Sequence, residues 1–416
     1  MANPKIKDIR VITTCPAGIN LVVVKVETTE PGLYGLGCAT FSYRAATVKH
    51  LIETYLRPLM IGRDVGMISE NWQLMHQNAY WRSGPIENNA ISGIDEALWD
   101  IKGKMAGMPL YELFGGKVRS GVRVYLDARG NTYEELFENV DRLLAQNVTA
   151  IRVGMGSGLA GRGMSVPEGA AEGALPGIYK DPRAEVNRIV EMFAKLRERY
   201  GDNIDFMVDV HERVHPIEAR ELCARLGPYH PYFIEDPVSI ENIGWLKELR
   251  AHCSSPIAHG ELEVNSHEWR QPVIDGSIDY IRAHISEIGG VTPAHKIAAF
   301  AEQFDVRTCW HIPGDISPVG AACSIHLDLS HPNCDLQEWT GIRVQHALQQ
   351  NQVSSADAIT EVFSGLPELR NGYLYVNEKP GHGVDIDEEA AAKYPCTFGV
   401  TEWTQSRRMD GSLQTP

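Results

Sequence analysis

The chain has 416 residues, of which 43% are hydrophobic and 22% charged, and a formal net charge of −15. That length suits a large domain with a smaller partner, and the apolar share suffices for a sizeable core. The negative charge excludes nucleic acid or an anionic membrane as the main partner, and an anionic substrate would need a local patch of Arg, His or metal.

The opening MANPKIKDIR lacks the apolar stretch of a signal peptide, and no run of 18 apolar residues follows, which reads as a cytoplasmic protein without a membrane span. Eight cysteines are scattered without a C-x-x-C pair, so reduced structural thiols are expected rather than disulfides or a zinc ribbon.

Three strand-like runs come first, IKDIRVITT, INLVVVKVETT and YGLGCATF, the last two separated by the turn signal EPG. Helical patterns follow in AATVKHLIETYLRPLM and in NNAISGIDEALWDIKGKMAG, which should stop at Gly107 and Pro109. From residue 121 the texture becomes strand, loop, helix, repeated. Candidate strands are GVRVYLDA, AIRVGM, DFMVDV, YFIED, PIAHGEL, IDYIRAHI, VRTCWHI and CDLQEW. Helical patterns between them include TYEELFENVDRLLAQN, AEVNRIVEMFAKLRERY, PIEARELCARLG and PAHKIAAFAEQF. The expected fold is therefore α/β, a (β/α)8 TIM-like barrel with an N-terminal α+β capping domain. The division places the cap at residues 1–120, completed by a segment from about 380 to 416, and the barrel at 121–380. A doubly wound open sheet is the alternative.

Directly after the third candidate barrel strand, HERVH at 211–215 matches the H-E-x-x-H pattern of zinc proteases. That reading needs a helix, but FMVDV before it has strand character and Pro216 after it disfavours helical geometry at His215. On a strand, Asp209 and His211 would share one face. In the preceding loop, GSGLAG at 156–161 matches G-x-G-x-x-G, yet RGMSVPEGAAEG follows it and cannot open the helix a dinucleotide site requires. A lid over the barrel mouth accounts better for this Gly-rich loop.

In a barrel the functional groups lie at the C-terminal ends of strands. Asp209, Glu235 and Glu261 end the third, fourth and fifth candidate strands, each 26 residues from the next. Three converging carboxylates repel unless a divalent cation joins them, and oxygen-only ligation suits Mg²⁺. Read singly, each acid could equally cap the helix that follows. Arg152, Arg282, His284, His311, Asp315 and Glu338 add polar groups at the remaining ends, with His211 and His311 beside the proposed metal as candidate proton carriers.

The succession Asp209-x-His211, Glu235-Asp236-Pro237, Gly260-Glu261 and His311-x-Pro313-x-Asp315 resembles the enolase superfamily, and within it the mannonate dehydratases. AYWRSGP, ALWDIKGKMAGMPLYELFGGK and DISPVGAA support the likeness, which covers nearly the whole chain. The resemblance implies a cap that closes over the barrel, a single Mg²⁺, a homo-oligomer, and dehydration of a sugar acid to its 2-keto-3-deoxy product. It assigns His211 as the general acid, Arg152 as partner of a tyrosine base, and Arg282, His311, Asp315 and Glu338 to the substrate.

Several positions depart from that pattern. Between Arg152 and Asp209 only Tyr179 and Tyr200 occur, and neither matches the family's base tyrosine. The family histidine after the first strand is Asp127 here, the cap asparagine is Ser42, and the tryptophan-bearing end is replaced by GSLQTP. These changes point away from mannonate itself and leave His211 or His311 as base. Two other readings stay open: racemisation or epimerisation of a hydroxy acid through the same enediolate, and a non-catalytic regulatory relative.

Overall fold

A computed structural model describes residues 4–41, 43–156, 164–314, 316–339, 353–400 and 405–415. The chain divides into two compact units, the first made of Met1–Val124, Leu262–Glu268 and Ala283–Gly399 and the second of Tyr125–Glu261, Trp269–Arg282 and Val400–Pro416.

In the first unit, β1 (Ile6–Thr14), β2 (Leu21–Thr28) and β3 (Tyr34–Cys38) form an antiparallel sheet in that order. Their β-branched and apolar runs turn Val22, Val24 and Val26 into the core. Helix α1 (Ala45–Leu51) continues through a π turn at Ile52–Leu56 to Met60, the turn falling just before Pro58, which has no N–H to continue the ladder. A further helix, α2 (Ile68–Gln77), precedes α3 (Pro85–Ala106), which opens with proline at its first turn and closes on Gly107 in the left-handed conformation, φ 66°. The expected stop at Gly107 is where the helix ends.

Helix α3 organises this unit. A Cβ on Gly37 would lie 1.9 Å from the Gly93 carbonyl oxygen, so strand and helix approach at a distance only glycine permits. Its buried polar residues reach the other segments. Asn89 donates to the carbonyls of Thr40 at 3.0 Å and Ser286 at 2.8 Å, and Glu96 accepts from the Cys38 amide at 2.7 Å. Asp95 accepts from the Thr292 amide at 2.8 Å and its hydroxyl at 2.6 Å, and Asp100 from the amides of Leu36 and His382.

In the second unit, six strands run parallel in the order β4 (Val122–Gly130, whose first residues belong to the first unit), β5 (Ala150–Met155), β6 (Asp205–Asp209), β7 (Ile234–Glu235), β8 (Ile257–His259) and β9 (Tyr280–Ile281). The helices α4 (Tyr133–Leu144), α5 (Pro182–Tyr200), α6 (Pro216–Leu226) and α7 (Leu246–His252) fall between them. This is the strand–helix alternation expected from residue 121 onward. The two remaining expected strands are present in the first unit as Arg307–Thr308 and Gln337–Glu338.

The later strands are shorter than their apolar runs. Asp236 turns left-handed at φ 37° directly before Pro237, and Gly260 at φ 134° ends the run begun at Ile257, so the ladder stops where the backbone turns away. The helix at Pro318–Ser330 was not legible because every residue in it is buried, which erases the one-sided periodicity by which helices are read. Among the described residues no helix is long and apolar enough to cross a membrane.

The α3 carboxylates predict a pH effect. Burial pushes Asp95 up to about 7 against the bonds from Thr292, whereas His382 and Lys104 overcome the effect of burial and hold Asp100 down to about 2. Unfolded, Asp95 releases its proton near 3.9. The folded state thus holds the extra proton between roughly pH 4 and 7, and Asp95 costs stability as pH rises through that window. In Asp95→Asn that cost is gone. The variant's stability relative to the parent should climb by up to about 1.4 kcal/mol per pH unit across the window, as measured by parallel urea unfolding; a pH-independent difference would refute the assignment.

Candidate metal centre

The acidic residues of the second unit collect where its parallel strands end. Cα pairing sets Asp209 opposite Glu235 and Glu235 opposite Ala258. Glu261 follows Gly260, where a Cβ would meet the Trp269 indole nitrogen at 2.5 Å. Carboxylate oxygens of Glu235, Asp236 and Glu261 all lie within 4.8 Å of one another. Asp236 is the member that strand alternation alone would aim elsewhere. Its left-handed backbone, with its amide donating to the Ala258 carbonyl at 3.0 Å, brings it in, and its Oδ1 accepts from the Gly260 amide at 3.2 Å. Asp209, the third acid expected from spacing, is not in that group of three. It sits in register beside Glu235, and its Oδ1 is buried with no hydrogen-bond partner among the described residues.

Two arginines bracket Glu235. Arg282, fully buried, donates from Nε to Oε1 at 2.7 Å, and Arg152 donates from Nη1 to Oε2 at 3.3 Å. Arg152 also donates from Nε to Asp127 Oδ1 at 2.7 Å and stands 3.9 Å from Asp209 Oδ2. Beneath both guanidiniums lies the buried Tyr125 ring, 5.4 Å from each, and Arg282 Nη2 donates to its hydroxyl at 2.6 Å. Tyr125 was missed in the sequence, although its place two residues before Asp127 on one strand puts both on the same face.

His211 lies 3.9 Å from Glu261, measured from Nε2 to Oε1. The shared strand face expected for Asp209 and His211 needs correction: β6 ends at Asp209, and His211 and Glu212 are left-handed, at φ 53° and 59°. His211 is thus aimed by a turn, not by strand alternation. The same turn removes the helix a HERVH zinc site would need, since α6 begins at Pro216 with His215 as its cap.

In the first unit, His311 Nε2 stands 3.8 Å from Glu338 Oε2, which also accepts from the Ile312 amide at 3.1 Å. The His284 ring packs edge-on against His311 with centroids 5.4 Å apart. Ser42 and Asp315 lie outside the described residues, as does most of the GSGLAG segment.

The carboxylates of the second unit suit a hard divalent cation. All the donors are oxygens, the acids crowd one another, and Asp209 Oδ1 is buried with no hydrogen-bond partner among the described residues.

Residues 3–115 match the family described as mandelate racemase / muconate lactonizing enzyme, N-terminal domain, and residues 135–390 match that described as enolase C-terminal domain-like. D-galactonate dehydratase family members of Musicola paradisiaca and of Salmonella virchow are each 47% identical to the chain, over 100% of both sequences. It belongs to the D-galactonate dehydratase family of the enolase superfamily. The fold is thus an N-terminal capping domain with a C-terminal (β/α)8 barrel, and the protein is an enzyme of the hydro-lyase, acid-sugar dehydratase type. A solved enolase from Pantoea ananatis, with bound D-gluconate and Mg, superposes with a TM-score of 0.93 at 45% identity and covers 100% of each chain.

The buried pair predicts a large structural penalty. Arg282→Met removes the guanidinium that answers Glu235 Oε1, and urea unfolding in EDTA should show a loss of about 3–5 kcal/mol. A loss below about 1 kcal/mol, the scale of an exposed pair, would show that Glu235 does not depend on Arg282.

Proposed function

We propose that the protein is a Mg²⁺-dependent dehydratase of an aldonate. It removes the proton next to the carboxylate and eliminates the neighbouring hydroxyl to give a 2-keto-3-deoxy acid. The observation that carries this reading is the meeting of Glu235 and Glu261 at strand ends, with Asp209 in register and Arg152 and His211 alongside. The Pantoea relative with D-gluconate and Mg supports both the ligand class and the ion. Asp209, Glu235 and Glu261 are the proposed ligands, with Asp236 adjacent as the geometry groups it.

When bound at these carboxylates, Mg²⁺ would supply positive charge beside the substrate carboxylate and so favour loss of the neighbouring proton. The chain's own residues do the rest. One proton leaves C2 for a base, and the C3 hydroxyl leaves as water after taking a proton from an acid. His211 and His311 are the proposed carriers of these two transfers. Arg152 orients the acids on either side of it through its bonds to Asp127 and Glu235. Arg282, Glu338 and Asp315 keep the substrate-side roles that the family likeness implies, and Asp127 and Ser42, which stand where the family has a histidine and an asparagine, are placed on the substrate side with them. Placement among the mannonate dehydratases is our finer reading, and the changes at Asp127, Ser42 and the missing base tyrosine favour another aldonate over mannonate. We also place the protein in the cytoplasm, where cysteines held outside disulfides are at home. A homo-oligomer is favoured by Tyr80 and Trp81, each 86% exposed. The domain division at about residue 120 belongs to the same reading.

A library of aldonates incubated with the protein and Mg²⁺, assayed for 2-keto acids, tests the proposal. Turnover should vanish on full chelation and fall at least about a thousand-fold in Glu235→Gln, on the scale of removing a group that stabilises the transition state. Activity that survives EDTA sinks the metal-dependent reading. Exchange of solvent deuterium into C2 without any keto product would identify an epimerase instead.

A further inference from the structure

Beside the carboxylates the second unit carries a narrow cleft, partly open to solvent. Six charged residues line it: Arg129, Lys180, Arg188 and Arg213 against Glu185 and Asp209. Arg188 is paired with Glu185 and donates to the Met155 carbonyl, and Arg129 stands 3.5 Å from Asp127. Arg213 differs, because its Nε is buried with no hydrogen-bond partner among the described residues. Burial draws this guanidinium below its ordinary range, against the pull of Asp209 and Glu185. A desolvated, unfilled guanidinium donor is costly, and an oxyanion answers it with charge-assisted bonds.

The cleft is also built rather than incidental. At Gly154 a Cβ would meet the Arg129 guanidinium at 2.9 Å, so the glycine lets that side chain lie across β5. Lys180 is brought to the cleft by a separate pairing, in which Ile178–Tyr179 runs parallel to Ser406–Arg407 and the Lys180 amide donates to the Arg407 carbonyl at 2.8 Å. Asp209 lines this cleft and is also a proposed metal ligand, so one extended ligand could reach both places.

We propose that this cleft is an anion subsite that takes the second negatively charged group of the acid-sugar substrate, a distal carboxylate or a phosphate ester. The inference rests on the dehydratase reading for the reacting end of the ligand, and adds to it a preference for dianionic acids over plain aldonates. Arg213 and Lys180 would hold the distal group, with Arg129 completing the positive wall.

Calorimetric titration of the full-length, Mg²⁺-loaded protein with D-gluconate, D-glucarate, 6-phospho-D-gluconate and inorganic phosphate tests this, in the parent, in Arg213→Gln and in Lys180→Met. In the parent, glucarate or the phosphorylated acid should bind at least about ten-fold more tightly than gluconate, the gain expected from one good charge-assisted contact. Whichever of the two gains shows whether carboxylate or phosphate is taken. The ratio should collapse towards one in each variant that keeps the parent's thermal melt. Equal affinity for all three acids, or a preference that survives both substitutions, overturns the proposal. If no acid binds in an EDTA-sensitive way, the dehydratase reading falls, and inorganic phosphate then judges the cleft alone. Phosphate binding that weakens at least about ten-fold in Arg213→Gln upholds the anion site, and binding that is absent or indifferent to the substitution overturns it.

Discussion

A buried carboxylate, Glu235, is the constraint around which the second unit is arranged. It has no exposed surface, and an ion removed from water in this way is tolerated only when its oxygens are answered. Arg282 answers Oε1 and Arg152 answers Oε2. Tyr125 supplies the floor on which both guanidiniums rest and accepts a hydrogen bond from Arg282. These four side chains come from β4, β5, β7 and the end of β9, so the charge network ties four strands at one end. Displacing one of them exposes the others, which is why an acidic site can persist inside a core of Val, Ile and Phe.

The first unit solves a related problem differently. Helix α3 turns Asn89, Asp95, Glu96 and Asp100 inward, yet each finds backbone amides, carbonyls or hydroxyls in segments far along the chain. The small residues Gly35, Gly37 and Gly93 bring helix and strand close enough for those bonds to form. Polar groups here act as directional fasteners where plain apolar packing would leave register open. The two cases share a cost, since each buried acid makes stability depend on its partners or on pH.

Much of this could be read along the chain. The repeat of strand and helix from residue 121, the stop at Gly107 and the strand-end positions of Glu235 and Glu261 follow from period, turn chemistry and spacing. What escaped reading has physical causes. Asp236 and His211 are aimed by left-handed backbone at φ 37° and 53°, conformations that uncommonly fall on residues other than glycine and leave no periodic trace. The helix at Pro318–Ser330 is buried on every side, so no face distinguishes it. Tyr125 reads as one more core aromatic until two arginines are found above it.

By itself the sequence determined the class of fold, the family likeness and the chemical type of the site, because carboxylates repeated at 26-residue spacing are a one-dimensional pattern. Tertiary structure alone decided which oxygens meet. The gathering of Asp236 with Glu235 and Glu261, the clasp of two arginines on Glu235 and the burial of Arg213 Nε depend on turns and pairings between residues far apart in the chain. Such contacts are set by the three-dimensional packing of strand ends, and no local preference of the residues specifies them.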